Sequence, residues 1–176
     1  SVLAGWGLAE AIRTPDVREV EVPIENLPEA LDGFSIAQIS DLHVGPTIKR
    51  DYVERVVERV NGLSADLVAL TGDFVDGTVE HLKDDTAPLA KLRGRHGVCF
   101  VTGNHEFYSG VGPWVDEFRR LGLTVLNNEH RIIEQGGARL AIAGVTDIQG
   151  GRFRANHKSD PAGAIANAQA DVKVLL

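Results

Sequence analysis

Three short motifs that combine carboxylate, imidazole and amide groups occur in this chain, each after an apolar run. Asp41 and His43 are two residues apart, so in an extended segment both side chains fall on the same face and can reach one ion. Asp73 offers two carboxylate oxygens, enough to contact two ions, and Asn104 adds a neutral carbonyl oxygen. His105, the next residue, is an acid–base group. This donor set predicts a hydrolytic site that uses two metal ions.

Strand patterns alternating with helix patterns lead into these motifs. Apolar runs typical of strands precede them at residues 34–39, 67–70 and 98–101. Apolar residues between 49 and 61 recur at intervals of three and four, which predicts a helix that ends at Gly62. A second helical pattern, residues 82–92, is expected to break at Pro88. Residues 115–121 predict a third helix. This alternation predicts a layered α/β domain.

The flanking segments have other patterns. Residues 17–22 alternate ahead of Pro23, which predicts an edge strand. A short strand is expected at 124–126, and a hairpin with a Gly136-Gly137 turn is expected to join strands at 131–134 and 139–143. The remaining expectations are a polar loop over 146–160, an alanine-rich helix over 162–170 and a buried strand over 172–176.

The three motifs together resemble those of the calcineurin-like metallophosphoesterase family. They read Ile-Ser-Asp-Leu-His at 39–43, Leu-Thr-Gly-Asp-Phe-Val-Asp at 70–76 and Val-Thr-Gly-Asn-His-Glu at 101–106. The resemblance is closest to the bacterial branch whose members are exported or membrane-associated, and it extends from about residue 34 to 145. It implies a four-layer αββα sandwich, two sheets face to face with helices outside. The implied activity is hydrolysis of a phosphomonoester or phosphodiester by a dinuclear centre of Mn, Fe or Zn ions with metal-activated water.

The resemblance also implies a role for each motif residue. Asp41 and His43 would hold the first ion, Asp73 would bridge both ions, and Asn104 would contribute to the second site. His105 would protonate the departing alkoxide. Asp76 looks like the family position that orients this histidine, although it is also a good turn residue before a glycine. Asn104→Ala is therefore expected to weaken metal binding, whereas His105→Ala is expected to lower turnover and leave the metals in place. Glu106 is expected to accept a backbone hydrogen bond and to have no catalytic role.

The chain departs from the family pattern in its later part. Relatives carry three further histidines that complete both metal shells, a lone one after a strand and two in a Gly-His-x-His turn. The histidines outside the motifs are in no matching context: His81, His96, His130 and His157. The terminal apolar run is the element after which the next family histidine is expected. We therefore expect the chain to be an incomplete domain, residues 34–176, truncated in its C-terminal half, and to be a poor catalyst by itself.

The composition and net charge limit the classes of partner that the chain is expected to bind. The 176 residues are 43% hydrophobic and 24% charged, enough to bury a core in a single domain. A net charge of -7 argues against nucleic acid as a partner. The family resemblance implies a small phosphate ester instead, such as a lipid or nucleotide. Arg152, Arg154, His157 and Lys158 could contact an anionic substrate, but a solvated loop is the favoured interpretation. Cys99, within an apolar run, is interpreted as a buried residue.

Residues 1–33 are interpreted as an N-terminal linker with the edge strand. Residues 1–9 are apolar and rich in small residues, so they are either the end of a removed membrane or signal segment or a short helix packed on the domain. The resemblance favours membrane proximity, and thus a membrane-associated or exported protein over a cytoplasmic one. A noncatalytic adaptor that keeps the fold is the alternative to an enzyme, but an adaptor has no physical need for the whole donor set.

Overall fold

A computed structural model describes residues 16–176; residues 1–15, including the apolar segment 1–9 and its two interpretations, lie outside the described residues. Within the described part of the chain the strands form two sheets. The first is fully parallel, with the order β1-β2-β3-β4. Its strands are β1 (Ile36–Ile39), β2 (Leu67–Thr71), β3 (Val98–Val101) and β4 (Thr124–Val125). This register places the carboxyl ends of β1, β2 and β3, and hence all three motifs, at one edge of the sheet.

Helices connect these parallel strands. They are α1 (Arg50–Asn61), α2 (Val79–Thr86), α3 (Asn104–Tyr108) and α4 (Val111–Arg120), with a 3-10 turn at Ala87–Lys91 after α2. The break expected at Pro88 is confirmed, because the α-helix ends at Thr86 and the proline lies in the 3-10 turn. The helix expected to end at Gly62 is also confirmed.

The first sheet is buried on both faces. Val68, Leu70 and Phe100 point to the side covered by the helices, where Trp114 and Phe118 also lie. The alternate residues of β2 and β3 point the other way and pack on the second sheet: Leu67, Cys99 and Val101. Burial on both faces explains why these strands are continuous apolar runs. Cys99 is buried as expected.

The second sheet has the order β5-β6-β7 within residues 16–176. Its strands are β5 (Glu129–Gln135), β6 (Ala138–Gly144) and β7 (Val172–Leu175). The hairpin between β5 and β6 turns at Gly136 and Gly137, with φ of 57° and 88°, as the sequence predicts. A short helix, α6 (Pro161–Ile165), packs on β5 and β6. The helices on the first sheet, the two sheets, and α6 on the second sheet give the expected αββα order of layers.

Several predicted elements differ from the structure. Residues 17–22 form no strand, because no described segment pairs with them, and they are exposed. The predicted loop at 146–160 contains a helix, α5 (Gly150–Phe153), and a 3-10 turn, Ala155–His157. The alanine-rich helix ends at Ile165, before Asn167 with φ of 59°. The terminal strand is an edge strand rather than a buried one, because among the described residues it pairs with β6 alone and Leu175 is 49% exposed.

None of the helices between residues 16 and 176 has the length and apolar character needed to cross a membrane.

Candidate metal centre

The loops that follow β1 and β2 run side by side beyond the sheet. The backbone N–H of Asp41 donates to Gly72 O at 3.1 Å, and that of His43 donates to Asp73 O at 3.0 Å. Farther along, Val44 N donates to Phe74 O at 2.8 Å. These bonds continue the pairing of the parallel strands into the motif loops, so the side chains of the two motifs are held against each other.

The backbone at the first two motifs lies in the left-handed region. Asp41, His43 and Asp73 have φ of 56°, 48° and 58°, and Gly72 has φ of 87°. This conformation is uncommon for residues with a side chain and costs on the order of 1–3 kcal/mol each. It persists because the hydrogen bonds between the loops fix both backbones. The turns it creates bring the polar side chains to the same place at the end of the sheet.

Asp76 connects the two motif histidines. Its Oδ1 accepts a hydrogen bond from Nδ1 of His43 at 3.0 Å and from Nδ1 of His105 at 2.6 Å. Burial alone would raise the pKa of Asp76, but these two hydrogen bonds and the charge of the imidazoles lower it. With Nδ1 donating to a carboxylate, the Nε2 atom of each ring is left to bind an ion or a substrate.

A group of ligand atoms from His43, Asp73 and His105 lies within 4.8 Å of one another. Oδ1 of Asp73 accepts a hydrogen bond from the backbone N–H of His105 at 2.9 Å, which fixes this carboxylate. Asp41 is farther out: its side chain is 66% exposed, and its Oδ1 lies 3.9 Å from Nε2 of His43. Asn104 is half-buried at the start of α3. The compact cluster thus contains His105, which the sequence assigned to acid–base chemistry.

The cluster fits a divalent metal ion. One carboxylate and two imidazoles are suitable donors for Mn, Fe or Zn, and Asp76 holds both rings in the orientation typical of a carboxylate–histidine–metal arrangement.

Two glycines allow the motif loops to touch. A Cβ atom on Gly72 would meet the backbone N and Cα of Gly103, and a Cβ on Gly103 would overlap the carboxylate of Asp73 and lie 2.6 Å from its backbone N. The second and third motifs are therefore in contact through their backbones, which leaves no room for a side chain. Both glycines belong to the motifs, and neither was assigned a role from the sequence. Their position directly before a candidate ligand was the available signal.

Glu106 is a buried structural acceptor. Its carboxylate accepts hydrogen bonds from the backbone N–H groups of Asp73 at 3.0 Å, Phe74 at 2.7 Å and Gly103 at 2.7 Å. Burial raises the pKa of Glu106 to about 7, although these hydrogen bonds act in the opposite direction. The expectation that this side chain accepts a backbone hydrogen bond is confirmed, and the bonds tie the third motif to the second.

Glu106→Gln is expected to lower the free energy of unfolding by about 2–4 kcal/mol, because the amide must point its NH2 group at a backbone N–H and leave buried donors unpaired. Chemical denaturation followed by circular dichroism measures the loss. Glu117→Gln is the matched control, since Glu117 is also largely buried but pairs with the exposed Arg120. A loss at Glu106 no larger than at Glu117 would contradict the structural role.

A cleft of about 480 Å³ opens beside the cluster. One wall carries motif residues, including Asp41, Asp73 and Asn104, and the other is formed by the segment after β6, including Thr146, Asp147 and Ile148. Two hydrogen bonds anchor that segment: Thr146 Oγ1 donates to the carbonyl of His157 at 2.9 Å, and the backbone N–H of Thr146 donates to Oδ1 of Asn128 at 3.4 Å. The cleft is large enough for a phosphate group and part of its ester.

The other histidines lie outside this cluster and interact elsewhere. His81 hydrogen-bonds to Thr78, His96 to Gln135, and His130 to the carbonyl of Ala164. Among the four basic residues that could contact an anionic substrate, His157 is buried, whereas the other three are exposed: Arg152, Arg154 and Lys158.

Comparison with known proteins identifies the family. The sequence profile described as Calcineurin-like phosphoesterase matches residues 34–168. The chain belongs to this family, which confirms the resemblance carried by the motifs, and the family uses metal ions. The mixed α/β sandwich with its parallel sheet is consistent with the metallophosphoesterase fold, as predicted.

The chain is similar to a "Transmembrane protein with metallophosphoesterase domain" of Danio rerio, with 36% identity over 158 residues, 88% of this chain and 36% of that protein. An "Uncharacterized metallophosphoesterase" of Helicobacter pylori is 36% identical over 134 residues, 76% of this chain and 35% of that protein. This chain thus spans about a third of the length of these relatives. A solved structure titled as a putative 5'-nucleotidase from Staphylococcus aureus has the same fold, with a TM-score of 0.51 at 20% identity over 80% of this chain and 36% of that chain.

Proposed function

We propose that the protein is a metal-dependent hydrolase of phosphate esters. The observation that carries the proposal is the cluster of His43, Asp73 and His105, with both imidazoles held by Asp76, beside an open cleft. Family membership supports the same activity. A noncatalytic adaptor would have no physical need for two imidazoles locked on one carboxylate.

The proposed centre is dinuclear and would use Mn, Fe or Zn ions. Asp41 and His43 would hold the first ion, Asp73 would bridge, and Asn104 would contribute to the second. When bound, such ions would act as Lewis acids and would lower the pKa of a coordinated water molecule to near neutrality. The backbone N–H of His105 donates to Oδ1 of Asp73, which holds this carboxylate in place while both of its oxygens keep lone pairs for ions.

His105 is proposed to protonate the leaving oxygen. Its Nδ1 donates to Asp76, which orients the ring so that the proton to be transferred would lie on Nε2. Asp76 is proposed as the residue that orients this acid. A small phosphomonoester or phosphodiester, lipid or nucleotide, is the proposed substrate, in keeping with the acidic composition that disfavours nucleic acid. Membrane proximity is also a proposal, supported by the name of the Danio rerio relative, a transmembrane protein with a metallophosphoesterase domain.

The test is a titration with Mn²⁺ or Zn²⁺ in the presence of 4-nitrophenyl phosphate and bis(4-nitrophenyl) phosphate. We expect hydrolysis that depends on metal, is abolished by a chelator and is lost in Asp73→Asn. Metal binding without hydrolysis of any phosphate ester, both by this chain and by a longer form that supplies further histidines, would favour the adaptor. Hydrolysis that persists after complete metal removal would contradict the proposed mechanism.

Metal affinity is expected to fall as the pH is lowered. Burial lowers the pKa of His43, but the hydrogen bond to Asp76 and the charges of Asp76, Asp73 and Asp41 outweigh it, so the pKa lies above its usual value. A protonated imidazole cannot bind a metal, and affinity should drop by about tenfold per pH unit below that pKa for one competing proton. Calorimetric titration with Zn²⁺ between pH 5.5 and 8.5 measures this slope.

Asp76→Asn provides the control for the pH dependence, because it removes the carboxylate that does most to raise the pKa of His43. The fall in affinity should then begin at a lower pH than in the unmodified protein. An affinity that is independent of pH over this range would show that His43 is not a ligand.

A further inference from the structure

Aromatic side chains continue outward from His105 along the surface. The ring of Tyr108 lies 5.5 Å from that of His105, in an edge contact with an interplanar angle of 67°. Phe153, from α5, makes a similar contact with Tyr108, with the ring centroids 5.6 Å apart and an angle of 68°. A row of three rings therefore begins at the proposed acid and crosses from α3 to α5.

Buried side chains beneath this row of rings support it. Phe107, 6% exposed, stacks on Phe153 with centroids 5.6 Å apart and an angle of 27°. The ring of His157 contacts Phe107 edge-on at 5.4 Å. Gly150 also lies directly on Phe107, since a Cβ atom at Gly150 would be 2.7 Å from its ring. The close approach of α5 to α3 holds Phe153 in place.

Despite this support, Tyr108 and Phe153 remain open to solvent, 57% and 47% exposed. Single exposed apolar residues are normal, but these two contact each other and one contacts the proposed acid. Neither is among the residues that line the cleft beside Asp73. The two rings thus form an open surface next to the cleft rather than an enclosed apolar groove.

We propose that Tyr108 and Phe153 form a stacking platform for the leaving group, and that preferred substrates carry a planar ring on the departing alcohol. The inference rests on the proposed function, because it takes His105 as the group that protonates the departing oxygen. The remainder of the leaving group then extends from His105, and Tyr108 is the neighbouring ring. Exposed aromatic rings bind planar groups by stacking, whereas an acyl chain would need a groove.

Matched pairs of substrates test the platform. Adenosine 5'-phosphate and ribose 5-phosphate share the same phosphorylated primary alcohol and differ in the base. Benzyl phosphate and cyclohexylmethyl phosphate share a ring size and differ in planarity. We expect kcat/KM to be about tenfold higher for the planar member of a pair. A higher kcat/KM for the planar member of both pairs would indicate that the platform accepts any planar ring. A higher kcat/KM in the adenosine pair alone would indicate that it prefers a nucleobase.

Two variants remove one ring each and keep much of the apolar volume: Tyr108→Leu and Phe153→Leu. In both we expect the ratio of kcat/KM between the planar and non-planar member of each pair to fall toward one. Leu63→Ala changes another exposed apolar side chain, 42% exposed after α1, and should leave the ratios unaltered. A second readout needs no turnover: saturation-transfer NMR with adenosine and chelator-treated protein should show transfer to the base protons that is reduced in both platform variants.

The outcomes separate the two proposals. Equal kcat/KM within both pairs would overturn the platform and leave the hydrolase proposal intact, as would a preference for the cyclohexylmethyl ester, which indicates a general apolar surface. If neither this chain nor a longer form that supplies further histidines hydrolyses a phosphate ester, the hydrolase proposal fails, and the NMR measurement decides the platform by itself. Adenosine that receives no saturation, or equal saturation in the variants, overturns it.

Discussion

His105→Ala is expected to lower kcat for an alkyl phosphate by a factor of about 10²–10⁴, the usual contribution of a positioned acid or base. The structure supports this role because Nδ1 of His105 is bonded to Asp76 at 2.6 Å, which fixes the ring with Nε2 free. The effect should be much smaller for 4-nitrophenyl phosphate, because 4-nitrophenolate leaves without protonation. Steady-state kinetics on the two esters measure the difference.

Metal content distinguishes this role from metal ligation. A ligand atom of His105 lies within 4.8 Å of those of His43 and Asp73, so the same side chain could instead bind the ion. For an acid, bound Mn²⁺ or Zn²⁺ in His105→Ala should equal that of the unmodified protein, whereas Asn104→Ala should bind less. Loss of metal in His105→Ala, with equal losses of activity on both esters, would assign His105 to the metal shell.

Gly103→Ala is expected to weaken metal binding by at least about tenfold and to destabilise the fold by about 1–3 kcal/mol, the usual cost of overpacking. The new Cβ would overlap the carboxylate of Asp73 and crowd its backbone N. Gly103 has φ of -91° and ψ of -173°, which any residue can adopt, so the effect is purely one of space. Thermal unfolding and calorimetric titration with Mn²⁺ measure both losses.

Gly62→Ala is the matched control for Gly103→Ala. Gly62 also has an ordinary backbone, with φ of -65°, but its Cβ would meet the carbonyls of Arg59 and Glu58 at contact distances of 3.4 and 3.5 Å. Its substitution should change stability by no more than about 0.5 kcal/mol and leave metal affinity intact. Retention of full metal affinity in Gly103→Ala would show that Asp73 can move without loss of the site.

Much of the fold could be predicted from local patterns. The β3 strand at 98–101, the helix that ends at Gly62 and the break at Pro88 follow from short-range physics: apolar periodicity, a C-terminal glycine and a proline without an N–H. The β-strand expected at 17–22 was wrong, because a strand exists only with a partner, and alternation in sequence does not supply one.

The candidate site was also predictable from the sequence only in part. By itself the sequence determined which donors the chain offers, and that they follow successive strands, because residue types and spacing are local properties. Only the tertiary structure decided that Asp76 binds both His43 and His105, that Glu106 ties two motifs together, and that Gly72 touches Gly103. Apart from the bond between Glu106 and Gly103, these contacts join residues about 30 positions apart. The left-handed turns that allow them are stabilised by hydrogen bonds between loops rather than by the residues themselves.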